Sequence, residues 1–271
     1  MRRRDFLLAA VAMLLKPTAA QSNEQRLALV IGNASYRQYP LQNPVRDASA
    51  MRAALDTLNF ETTLVEDANL REMIGALRHF SVQARRHNVR LLYFAGHGLQ
   101  IRGRNYLIPV DAEIGSQDEV ARRSVDVGDL LERLGELHDG VNILILDACR
   151  NNPFINQPGI DADGRRFRTR APKKIGLAEL ETPSGTIIAY ATAPGTVAID
   201  SGDQSNSVYT RYLLEHIQAP GLPIEMVFKR VRADVARATQ GLQIPWESSS
   251  LTGDFYFCPE SKKCATVTRG R

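Results

Sequence analysis

The chain contains no HExxH, no CxxC, and no histidine near its C-terminal cysteines Cys258 and Cys264, so it offers no recognisable metal centre. Gly96-His97-Gly98 lacks the third glycine and the downstream acid of a dinucleotide fingerprint, which excludes a nucleotide site there. No internal repeat occurs. A basic surface for nucleic acid is also missing. Of the formal charge of +4, the first twenty residues carry +3 and residues 157–175 carry +4, which leaves the rest at −3. The body of the protein is mildly acidic, and nucleic acid is not an expected partner.

What is present begins with an export signal. A basic start (Arg2, Arg3, Arg4) leads into an apolar stretch at 6–15, too short to span a bilayer, and then Thr18-Ala19-Ala20. Arg3-Arg4-Asp5-Phe6-Leu7 resembles the twin-arginine pattern, and residues 1–20 are read as the signal. The mature protein is then periplasmic with no stable membrane insertion, or membrane-anchored if the signal is not cleaved. In an oxidising compartment Cys258 and Cys264 can form a small disulfide loop, leaving Cys149 as the free thiol.

Strands are expected at 26–31, 60–65 (alternating, hence nearer an edge), 89–95, 141–146, 185–191 and 251–257. Helices are expected at 43–58, 69–86 (buried face Leu70, Ile74, Leu77, Val82), 127–137, 206–218 and 223–239, with a short extension at 105–110. The alternation predicts an α/β fold: a three-layer α/β/α sandwich around a mostly parallel sheet of about six strands. One domain, 24–257, is divided into 24–155 and 177–257 by a basic, glycine- and proline-containing linker at 156–176, and a polar tail follows at 258–271.

Two of these runs end in chemistry. The apolar run 89–95 delivers His97 and the run 141–146 delivers Cys149, at the carboxyl ends where ligands of parallel sheets bind. An imidazole beside a thiol stabilises the thiolate and protonates a leaving amine, and the amides of Gly98 and Cys149 are placed to receive an oxyanion. A buried cysteine after an apolar run is often only core. His79, His87, His138 and His216 lie in polar or helical contexts that suit a solvated role.

YFAGHG (93–98) and LDACRNNP (146–153) resemble the histidine and cysteine motifs of caspase-like cysteine peptidases, in particular the bacterial caspase homologues and metacaspases. AYATAPGTVAID (189–200) and QIPWESSSLTGDFYF (243–257) extend the resemblance over about 26–257. It implies His97 as general acid/base, Cys149 as nucleophile, and Gly98 and Cys149 as the oxyanion hole. Where caspases use arginines and a glutamine to hold aspartate, this chain aligns Asp47, Asp147 and Asp200. Three carboxylates repel an aspartate at P1 and hold arginine over lysine, whose point charge uses fewer of them. Asp47 also fits a helix start and Asp200 an ordinary turn.

The linker falls where caspases are cut between subunits. Self-processing is expected after Arg165, Arg166, Arg168, Arg170, Lys173 or Lys174 in a precursor, the alternative being a solvated insertion that stays intact. No cofactor is required; calcium activation, as in some metacaspases, is left open, with Asp111, Asp118 and Asp126 of the right type but unassigned. The expected partner is a peptide or protein with Arg or Lys at P1, and oligomeric state is undetermined. The competing function is a catalytically silent caspase-like module that binds peptides or partners.

Overall fold

Apolar segments of strand length recur along the chain with amphipathic helices between them, and they assemble in the order this alternation dictates. The computed structural model describes residues 24–101, 103–137, 139–149, 159–160, 166–167, 182–193, 206–260 and 264. The signal, Asp200, Arg165, Arg168, Arg170, Lys173 and Lys174 lie outside them. β1 (Arg26–Gly32) is flanked by β2 (Phe60–Glu66) on one side and β3 (Val89–Ile101) on the other. β4 (Arg104–Leu107) and β5 (Val125–Asp126) extend β3 by antiparallel pairing. β6 (Val141–Cys149) lies parallel to β3, β7 (Gly159–Ile160) and β8 (Arg166–Phe167) form a separate two-stranded ribbon, β9 (Thr186–Tyr190) lies parallel to β6, and β10 (Trp246–Ser249) runs antiparallel along β9. The main path is therefore β10-β9-β6-β3-β1-β2, six strands with one antiparallel edge.

Helices cover both faces. α1 (Pro44–Thr57), α5 (Val208–His216) and α6 (Ile224–Ala238) pack Met51, Leu55, Leu213 and Val231 against Val30, Leu91 and Ile145. α2 (Leu70–Ala84) and α4 (Val127–Gly135) pack Met73, Phe80 and Leu131 against Leu29, Leu92 and Leu144 on the other. A short helix, α3 (Gln117–Arg123), anchors a third cluster through Val120. The sandwich has the expected three layers.

Four local expectations change. β3 does not end at His97 but runs on to Ile101, because β4 gives it a partner after β6 ends. The last strand is 246–249, not 251–257; the alternating aromatics Phe255 and Phe257 fill the core from a segment that makes a single bridge, Tyr256 to Pro223. The buried face of α2 is Met73, Leu77, Phe80 and Ala84, while Ile74 and Val82 are exposed. α3 was not foreseen. The packed region also continues past residue 257: Cys258 is buried and disulfide-bonded to Cys264, and the Arg26 guanidinium ties this segment down by donating to the carbonyls of Tyr256 and Phe257.

Candidate active site

The segment that follows β1 folds over the C-terminal half of β3, and polar side chains fix it there. Asn33, fully buried, accepts the amide of Ala68 and donates to the carbonyl of Ile108. Asp67 accepts the amides of Ala34 and Ser35 at 2.7 and 2.8 Å and the hydroxyl of Ser35. Burial opposes ionisation of Asp67, but these hydrogen bonds outweigh it and hold its pKa below the usual carboxylate value.

The segment so held carries two tyrosines to His97. The Tyr36 hydroxyl donates to the carbonyl of Ile108 at 3.0 Å and accepts the His97 amide at 2.8 Å, with the two rings 4.3 Å apart. Gly96 makes room for it: a Cβ there would lie 2.6 Å from the hydroxyl, and the backbone has φ +153°. His97 Nε2 lies 2.7 Å from the carbonyl oxygen of Tyr39. A carbonyl only accepts, so Nε2 carries the proton and Nδ1 is the basic nitrogen of the neutral ring.

His97 and Cys149 are partners on the last rung of the β3–β6 ladder. Neighbouring strands lie about 4.8 Å apart, so the backbones of the two expected catalytic residues are adjacent. Gly98 follows in β3 opposite Leu107, within the hairpin with β4.

The two described carboxylates of the expected pocket meet at one residue. Asp47, in the first turn of α1, is 1% exposed, and Asp147, two residues before Cys149, is 8% exposed. Ser207 donates its amide to Asp47 Oδ1 at 3.0 Å and its hydroxyl to Asp147 Oδ2 at 2.5 Å. Asn206 adds a second donor to Asp47 and Thr210 a second to Asp147. The Thr210 proton is thereby committed, so Tyr93 is the donor in its 2.6 Å bond to that hydroxyl. Burial pushes the phenols of Tyr93 and Tyr209 well up, and the negative charge of Asp147, with Asp47 for Tyr93, adds to this. Tyr36, Tyr39, Ser207 and Thr210 were missing from the sequence reading. Only the cap residue had a local signal, a serine just before a helix.

Of the other described histidines, His216 pairs with Asp234, His87 lies against the carbonyl of Gln83, and His79 is exposed on α2. The calcium candidates do not converge. Asp111 accepts the Leu70 amide, Asp126 caps α4 and pairs with Arg104, and Asp118 lies in α3. Among the described residues no group of three or more His, Cys, Asp or Glu side chains is arranged to hold a metal ion.

A profile described as the caspase domain matches residues 25–256. The chain belongs to the caspase-domain peptidase family. It is also 26% identical over 236 residues to the human mucosa-associated lymphoid tissue lymphoma translocation protein 1, and equally to the mouse homologue. These matches cover 84% of the chain but 26% of each relative's length. Among the described residues of this caspase-domain protein, no helix is long and apolar enough to cross a membrane.

Proposed function

We propose that this caspase-domain protein is a cysteine endopeptidase that cleaves after basic residues, arginine in preference to lysine. The observation that carries the reading is the pairing of His97 with Cys149 on one rung, with Asp47 and Asp147 gathered at Ser207. His97 Nδ1 takes the Cys149 thiol proton and the thiolate attacks the scissile carbonyl. The tetrahedral oxyanion collapses to a thioester as the imidazolium gives its proton to the departing amine. His97 then removes a proton from water, which attacks the thioester; collapse releases the acid and returns the proton to Cys149. Tyr39 holds the ring in the required tautomer throughout. Buried carboxylates favour a cationic P1 side chain over an acidic one.

Hydrolysis of fluorogenic peptides with Arg, Lys or Asp at P1, by the wild-type protein and Cys149→Ala, tests this. Turnover of basic peptides that the variant lacks is expected; preference for the aspartyl peptide overturns the pocket, and no turnover of any, with or without calcium, favours the silent binding module. The proposal extends to export by the N-terminal signal and to self-cleavage in 156–176. N-terminal sequencing of the incubated protein tests the latter: new termini after the linker's basic residues are expected, and an intact chain in an active preparation excludes obligatory processing.

A further inference from the structure

We infer that Ser207 sets the P1 selectivity of this site: it is a positioning residue that holds Asp47 and Asp147 in one arrangement suited to arginine. The inference rests on the basic-P1 reading above and assigns its selectivity to a residue that is not itself charged.

Asp47 and Asp147 come from different elements, α1 and β6, and both are buried. Two such carboxylates repel, and in a dry setting they turn apart or share a proton unless donors lie between them. Ser207 supplies a donor to each, amide to Asp47 and hydroxyl to Asp147. Its hydroxyl cannot swing away, because the same oxygen accepts the Thr210 amide at 3.0 Å as the cap of α5. The start of α5 adds a partial positive charge favourable to both anions.

The consequence for substrate is asymmetric. A guanidinium binds through a planar fork and needs acceptors at a fixed spacing and tilt, whereas an ammonium turns freely and accepts a looser arrangement. Releasing the carboxylates therefore harms arginine more than lysine. A merely structural role harms both alike.

The test uses the full-length protein with P1-Arg and P1-Lys fluorogenic peptides and the variants Ser207→Gly, Ser207→Ala and Ser207→Thr. Glycine keeps the amide and is tolerated at a helix cap where alanine is not, so it removes the hydroxyl with little effect on folding. In Ser207→Gly and Ser207→Ala, KM for the arginyl peptide is expected to rise about tenfold or more, as for loss of a hydrogen bond to a charged group, with kcat little changed. The Arg-to-Lys preference then falls, and Ser207→Thr restores it. An unchanged preference in a folded Ser207→Gly protein, or equal losses on both peptides, overturns the inference while leaving the basic-P1 reading intact. Failure of the wild type to cleave either basic peptide overturns both.

Discussion

The Tyr36 hydroxyl is wedged between strand and hairpin, accepting the amide of His97 at 2.8 Å, and the phenol ring rests 4.3 Å from the imidazole. Backbone and side chain of His97 are thus held from the same loop, since Tyr39 of that loop takes Nε2–H. This is how a histidine in the middle of a long strand acquires a fixed orientation.

Tyr36→Phe tests the wedge. It keeps the ring but leaves the His97 amide buried without this acceptor, at a cost of about 1–3 kcal/mol in stability. kcat is expected to fall more than KM changes, because the imidazole loses its alignment while the substrate pocket is untouched. Urea denaturation and steady-state kinetics check the two effects; a stable variant with unaltered kcat removes Tyr36 from the positioning of His97.

Asp67 links the same loop to pH. Its pKa is lowered in the folded protein, so its stabilising contribution is present above the unfolded carboxylate value, near 4, and is lost as pH falls through the folded value. In Asp67→Asn the deficit relative to wild type is expected to be full at neutral pH and to shrink below about pH 4. Melting temperature against pH measures this, and a deficit that stays constant into acid contradicts the role given to its ionised form.

The parallel core and its helices were legible because buried strands and amphipathic helices leave periodic traces. His97 and Cys149 were legible because they follow such strands. Other features depended on contacts distant in sequence. Gly96 and Gly98 looked like the end of a strand, yet Gly96 makes room for Tyr36 inside a continuing one. In WESS of β10 one exposed tryptophan is followed by three polar residues, with no apolar alternation, and the segment is a strand because it pairs with β9. In α2, Leu77 belongs to both the expected and the observed apolar stripe, and the Asn69–Glu72 capping box fixes where the helix begins without fixing the face it buries. The contacts of Ser207 span 160 residues to Asp47 and 60 to Asp147, beyond any local pattern.

Asp147→Asn addresses the pocket itself. The amide keeps the shape and an acceptor for Ser207 or Thr210 but removes the charge that a basic side chain would meet. Loss of one partner of a buried charge pair implies a fall of about 30-fold or more in kcat/KM for an arginyl peptide. Far-UV circular dichroism should be unchanged. Activity on arginyl peptides equal to wild type would mean that Asp147 serves only to anchor the Ser207 and Thr210 hydroxyls.

The most direct test of the whole account is covalent capture of the nucleophile. The protein is treated in parallel with arginyl and aspartyl peptide acyloxymethyl ketones, and the adduct is located by intact mass and peptide mapping. One adduct on Cys149 is predicted, formed faster with the arginyl reagent and slowed in His97→Ala. Faster labelling by the aspartyl reagent, or an adduct away from Cys149, would contradict it.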